Sequence, residues 1–241
     1  VEMTGAALVG GGSGAIGAEI CRAIAARGMD VAITARSSTE VAKNVAADVE
    51  GLGNRSLVLE VDLDKPESLA TAVQETVDHF GSLDTLIYAA GVFADQMWCS
   101  TVEAEKFRAH LVSEVVGCFA SISYAIPHLR ETAGSVVAVT SVAVRRSVRK
   151  DVLSASPKAA IEALIRSVAV EEGRYGLRAN AVGVGRLAVG MAQKLSDSGA
   201  VAAEAMRETE AALPMRRLGK AVEIAEVVSV SYTHLPLPTN R

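Results

Sequence analysis

Residues 12 to 17 read Gly-Ser-Gly-Ala-Ile-Gly, directly after the apolar run Ala6-Ala7-Leu8-Val9 and directly before a helical pattern from Ala18 to Ala26. Glycine lacks a Cβ, so three of them at this spacing allow a tight turn and a close approach of backbone to whatever sits above it. The first N–H groups of a helix have no intrahelical partner and lie at the positive end of its dipole, which attracts phosphate. Strand, glycine turn and helix in this order form a seat for a dinucleotide pyrophosphate, and a second apolar strand, Val31 to Thr34, completes the βαβ unit. The candidate backbone donors are Gly11, Gly12, Ser13, Gly14, Ile16 and Gly17.

The rest of the chain supplies elements able to hold that turn. Short β-branched runs at Ala6 to Gly10, Val31 to Thr34, Ser56 to Val61, Thr85 to Ala89, Ser135 to Thr140 and Arg178 to Val182 predict strands. Amphipathic stretches near Ala15 to Arg27, Thr39 to Glu50, Pro66 to Phe80, Val102 to His128, Leu153 to Gly173 and Ala221 to Ser229 predict helices. Alternation of this kind implies an α/β fold, a single doubly wound parallel sheet with helices on both faces. Ligands of such sheets bind beyond the carboxyl ends of the strands, so the loops after Val9, Thr34, Val61, Tyr88, Thr140 and Val182 are expected to line one cleft.

Composition narrows the class of ligand. The chain has 241 residues, 50% hydrophobic and 4% aromatic, with a formal charge of −4. That length suits one large α/β domain. Without concentrated Lys and Arg the phosphate backbone of nucleic acid is not the expected partner, which leaves a small-molecule substrate. Cys21, Cys99 and Cys118 have neither metal-ligand spacing nor an even count, and are expected to be reduced core thiols. No apolar stretch approaches the roughly 20 residues of a membrane span, and no charged-then-apolar leader opens the chain, so no membrane association and a cytoplasmic location are expected.

Taken together, these motifs resemble the short-chain dehydrogenase/reductase family over roughly residues 5 to 229. The family pattern T-G-x-x-x-G-x-G falls on Gly10 to Gly17, with glycine in the threonine slot and Ala15 in the middle glycine slot. The resemblance implies a Rossmann fold and a nicotinamide cofactor. After strand two, Ala35 stands where NAD-preferring members carry an acid, and Arg36 follows. A guanidinium can clasp a ribose 2′-phosphate in bidentate fashion, so NADP(H) is expected rather than NAD(H). By position in the family series Asp62 and Leu63 would meet the adenine, Ala89, Ala90 and Gly91 stand for the Asn-Asn-Ala-Gly stretch, and backbone at Leu187 would face the nicotinamide amide. Asn180-Ala181-Val182 resembles the family's N-A-V.

Family catalysis uses a serine thirteen residues before a tyrosine, and a lysine four after it. Counted from Ser141, that frame lands on Ser154 and Lys158, so the tyrosine slot holds serine. Ketone reduction needs a proton delivered to oxygen, and a phenol of pKa near 10, lowered by a neighbouring ammonium, is far more acidic than a serine hydroxyl. Loss of a positioned acid costs about 10² to 10⁴ in rate. Ser141 remains to orient substrate, Lys158 to bind the nicotinamide ribose, and Ser154 to act as a weak or indirect donor. The family's helix asparagine falls on Glu114, a candidate proton shuttle.

The alternatives are an enoyl or dienoyl-thioester reductase and a catalytically silent NADP-binding protein. Ser154-Ala155-Ser156-Pro157-Lys158 has some similarity to the dienoyl-thioester reductase branch, although that branch has tyrosine where this chain has Ala143. A basic run of Arg145, Arg146, Arg149 and Lys150 could hold the phosphates of an acyl thioester. Residues 187 to 213 correspond to the family's variable lid, and the resemblance implies a homodimer or homotetramer through the two long helices. Beyond 229 the pattern breaks: Val230-Ser231-Tyr232-Thr233-His234-Leu235 resembles one reading frame of a transposon-end sequencing adapter. Residues 1–229 are therefore expected to form the domain, without its last strand, and 230–241 a non-native tail.

Overall fold

The computed structural model describes residues 4–189 and 210–231. Six strands form one parallel sheet: β1 Ala6–Gly10, β2 Asp30–Ala35, β3 Ser56–Glu60, β4 Thr85–Tyr88, β5 Ser135–Ser141 and β6 Arg178–Val184. Their order across the sheet is β3-β2-β1-β4-β5-β6. The order reverses between β1 and β4, and the crevice beyond their carboxyl ends is where such sheets take ligands. All six strands point the same way, so the loops after them share one edge of the sheet.

Alternate residues along each strand feed two separate cores. On one face Ala7, Val9, Val31, Ile33, Ile87, Val137 and Val139 meet α1 (Ala15–Ala25), α2 (Thr39–Gly51) and α7 (Ala221–Ser231). On the other Leu8, Ala32, Leu86, Tyr88, Val136 and Ala138 meet α3 (Pro66–Phe80), α5 (Gly117–Glu131) and α6 (Val152–Glu172). The period-two side-chain alternation of a strand makes this division, and helices on both faces explain why the strand centres are largely apolar while polar residues such as Asp30, Ser56, Glu60, Ser141 and Arg178 stand at strand ends.

The expected elements are all present, with two informative differences. The stretch foreseen as one helix from Val102 to His128 is α4 (Ala104–Leu111), a π-helical turn at Val112–Val116, and then α5. Its composition is also more membrane-like than expected: Ala104–Glu131 spans 28 residues with a mean hydropathy of 1.4 in its most apolar window. In the fold 44% of that window is buried, and the helix packs on α3, α6 and β4. The last helix, α7, runs through Ser231, two residues past the expected domain edge, and the Ser231 carbonyl accepts a hydrogen bond from Asn180 Nδ2 at 2.8 Å. The rest of the expected tail, 232–241, lies outside the described residues, as does 190–209 of the expected lid.

The three thiols do not share one environment. Cys21 and Cys118 are buried, and burial pushes both thiols up, Cys118 to about 12. Cys99 is exposed in a short 3₁₀ turn, Cys99–Thr101, contrary to its expected place in the core; no residue of that turn belongs to either hydrophobic cluster. Only thiolate reacts with disulfide reagents, so the folded protein should titrate one thiol rapidly and release the other two only on denaturation. A colorimetric thiol count with and without guanidinium checks this, and three fast thiols in the folded protein would contradict it.

Candidate active site

The glycine turn is built by contacts that exclude side chains. Gly11 adopts φ +75, and a Cβ there would lie 2.7 Å from the Ala90 Cα. At Gly17 a Cβ would sit 2.1 Å from the Gly11 carbonyl oxygen, inside any tolerable contact. Gly12 faces Ile33 at 2.7 Å by the same measure. The loop after β1 therefore presses on the start of α1 and on the loop after β4, which explains why Ala89 and Ala90 are small. Thr34 reaches in from β2, its Oγ1 accepting from the Gly11 N–H at 2.9 Å.

Above this turn the helix end is open. No side chain caps α1, whose N-cap is Gly14, and Gly14 and Ala15 are exposed. A Cβ at Gly14 would meet only the Gly11 oxygen, at 3.2 Å. The cradle fits a pyrophosphate: donors at a helix N-terminus, no acid in the first turn, and room for close approach. Arg36 is exposed immediately beyond the end of β2, with no ion pair among the described residues.

Other expected cofactor contacts are partly engaged within the chain. Asp62 Oδ1 accepts from the Asp64 N–H at 3.2 Å, and Oδ2 lies 3.5 Å from Lys65 Nζ, so this acid also shapes its own turn. Leu63 packs against Gly117. The Ala89 N–H donates to the Gly10 carbonyl at 2.9 Å, binding β4 to β1 at the crevice. Leu187 is buried, and its neighbours' backbone groups pair with Gly219: Arg186 O accepts at 2.9 Å and Ala188 N donates at 3.0 Å.

The serines and the lysine come from two adjoining elements. Ser141 ends β5, its Oγ accepting from the Ala143 N–H at 3.1 Å, which leaves the hydroxyl proton for another acceptor. Ser154 and Lys158 stand four apart in α6 and so share one face of that helix. Between them Pro157 removes one backbone donor from the helix. Asp151, the N-cap residue, was not singled out in the sequence. It is partly buried, and burial holds its carboxyl above the usual range against the opposing pull of Arg186.

Glu114, the candidate proton shuttle, is held on several sides. It lies in the π-helical turn, where its side chain is 3% exposed, and its Oε2 is 2.8 Å from Lys158 Nζ. That contact is close but not aligned as a hydrogen bond, so Oε2 has a charge beside it without a directed donor. Oε1 accepts from the Val92 N–H at 3.0 Å, and the Tyr88 hydroxyl donates to the Glu114 carbonyl at 3.2 Å. Lys158 Nζ also faces the Ala90 carbonyl at 3.4 Å. Neither Tyr88 nor the Glu114 to Lys158 pairing was foreseen; the asparagine slot pointed to Glu114, but nothing local pointed to its partner.

The basic run is less free than the sequence suggested. Arg145 Nη2 is 3.3 Å from Glu162, a buried carboxylate that also accepts from Thr140 Oγ1 at 3.2 Å. Lys150 Nζ sits 5.2 Å from the Trp98 ring centroid. Arg146 and Arg149 are exposed.

A six-stranded parallel sheet with a glycine-lined crevice at its switch point defines a dinucleotide-binding fold, and comparison with known proteins specifies which. The family described as Enoyl-(Acyl carrier protein) reductase matches residues 11–230, and the chain belongs to the short-chain dehydrogenase/reductase family of oxidoreductases. Among its relatives, L-fucose dehydrogenase of Bos taurus is 29% identical over 218 residues, covering 90% of this chain and 79% of that one. A 3-oxoacyl-(acyl-carrier-protein) reductase FabG of Staphylococcus aureus is 28% identical over 230 residues, covering 95% and 91%. The crystal structure of acetoin dehydrogenase from Enterobacter cloacae superposes with a TM-score of 0.84 at 26% identity, covering 97% of this chain and 90% of that one.

The Gly17 contact is with backbone and leaves no flexible neighbour to yield. Gly17→Ala should destabilise the fold by about 1–3 kcal/mol, read as a lower urea midpoint. An unchanged midpoint would show that the turn relaxes freely.

Proposed function

We propose that the chain is an NADP(H)-dependent oxidoreductase that moves hydride between nicotinamide and a carbonyl or alcohol substrate. The observation that carries the cofactor choice is Arg36, exposed at the end of β2 beside the neutral Ala35 and unpaired among the described residues. In this reading the amides of Gly12, Ser13, Ile16 and Gly17 hold the pyrophosphate and Arg36 clasps the 2′-phosphate; Gly11 and Gly14, also expected as donors, give their N–H groups to Thr34 Oγ1 and to the Gly11 carbonyl, both at 2.9 Å, and shape the turn instead. Asp62 and Leu63 meet the adenine, Ala89, Ala90 and Gly91 floor the crevice, Lys158 binds the nicotinamide ribose, and Leu187 backbone meets the carboxamide. When bound, the cofactor supplies or accepts the hydride.

The chain's own residues then position the substrate oxygen. Ser141 accepts from Ala143 and keeps its hydroxyl proton for that oxygen. Ser154, one helical turn before Lys158, occupies the slot of the family's acid, and as an alcohol it is a weak acid. The relatives known as 3-oxoacyl reductases, and the description of the matched family, support a second reading in which the substrate is an acyl thioester. Charge developing on a thioester oxygen could be met by the two hydroxyls without an immediate proton transfer. Exposed Val112, Val116, Phe119 and Tyr124 along the long helix, with Val170 on α6, support a homodimer or homotetramer through those helices. A cytoplasmic location completes the proposal.

Fluorescence titration with NADPH and NADH tests the cofactor choice. The wild type should bind NADPH more tightly, and Arg36→Glu should lower that preference by about tenfold or more. Equal affinities unmoved by the substitution would sink the assignment. Turnover with a panel of ketones, alcohols and enoyl thioesters separates the two substrate readings. Binding without turnover of any of them would leave a silent nucleotide-binding protein.

A further inference from the structure

We infer that Glu114 is a positioning residue that neutralises Lys158 within the site, so that serine at 154 and glutamate at 114 form one coupled departure from the family pattern. This rests on the reading above of Ser154 and Lys158 as site residues. In the family arrangement a neutral asparagine occupies the 114 slot, and the lysine's positive charge acts on the phenol one turn before it. Here a carboxylate lies 2.8 Å from that ammonium, and the two side chains are 3% and 14% exposed.

The pair has little room to separate. Glu114 is held at Oε1 by the Val92 N–H and at its carbonyl by the Tyr88 hydroxyl, while Lys158 also faces the Ala90 carbonyl. The π-helical turn at Val112–Val116 carries the carboxylate, and such turns insert a residue without ending the helix. The pair also borders the cleft. Gly91 is exposed, and a Cβ there would come within 3.4 Å of Glu114 Oε1 and 3.5 Å of Lys158 Nζ.

An opposite charge within about 4–6 Å lowers the pKa of an acid by about 1–3. A neutral ion pair at the same place largely cancels that effect. The other groups around the pair do not restore a net positive field. Cys118 feels both charges with opposite sign, Tyr88 is a buried phenol pushed up by desolvation, and Asp151 at the start of α6 faces Arg186. A phenol placed at 154 would therefore meet a site already neutralised, and reinstating it alone would not rebuild the family's acid.

The test is a near-ultraviolet titration of tyrosinate, comparing Ser154→Tyr with Ser154→Tyr/Glu114→Gln, each subtracted from the chain carrying Ser154 and the same residue at 114. The introduced phenol should ionise at least about one pH unit lower in the double variant. With NADPH and a reducible ketone, the gain of the double variant should exceed the product of the single gains by about tenfold. Ser154→Tyr/Glu114→Asn, which places the family's own residue at 114, serves if the glutamine variant fails to fold by circular dichroism. Identical phenol titrations in the single and double variants would overturn the inference. Failure of every variant and of the wild type to bind NADPH would instead overturn the cofactor reading, and the phenol titration, which needs no cofactor, would still decide the role of Glu114.

Discussion

The architecture of the cleft depends on three backbones meeting where no side chain fits. The Gly11 carbonyl sits where a Gly17 Cβ would be, and the Gly11 Cα lies against Ala90, so β1, α1 and β4 converge within van der Waals contact. Close approach brings the N-terminus of α1 to the carboxyl edge of the sheet, with Gly14 and Ala15 exposed there. It also makes residues 89 and 90 part of the nucleotide cradle through their size. A structure that needs absent side chains at 11, 12 and 17 has little tolerance there, because the opposing atoms are mostly backbone and cannot change rotamer.

A second constraint is electrostatic. Removing an ammonium and a carboxylate from water costs several kcal/mol each, and is sustained only where they meet each other and further polar partners. Glu114 and Lys158 satisfy that condition through Val92 and Ala90. Ion pairs such as Lys43 with Glu40 stand in solvent and contribute little by comparison. The buried pair links the helix from 104 to 131 with α6, so the element that carries the expected oligomer surface and the one that carries Ser154 share a charge contact beneath the cleft.

Around the rim, positive charge is distributed rather than pooled. Arg145 is drawn toward Glu162, Lys150 toward Trp98, and Arg186 toward Asp151. Arg36 remains on the far side of the crevice, beyond β2. The fold thus separates a cation suited to a phosphorylated ribose from those flanking the substrate entrance, although all lie along the carboxyl edge of one sheet.

Much of this was legible in the chain. Strands of β-branched residues and the G-x-G-x-x-G turn carry local signals, because period-two burial and the need for absent side chains act within a few residues. The βαβ order then implies a parallel sheet and a cleft at its carboxyl edge. What the sequence could not disclose depends on distance along the chain. Glu114 and Lys158 are separated by a helix and a strand, and only the packing of α6 beside the π-helical turn makes them neighbours. Arg145 appeared to be one free cation among four until the fold brought α6 and its Glu162 alongside. The turn at Val112–Val116 carries neither proline nor glycine to interrupt the apolar stretch that runs from one helix into the next, and so left no mark in the periodicity. Local chemistry determined which groups could line the cleft; tertiary packing decided which of their charges are already answered, since Coulomb interaction follows separation in space and burial rather than order in the chain.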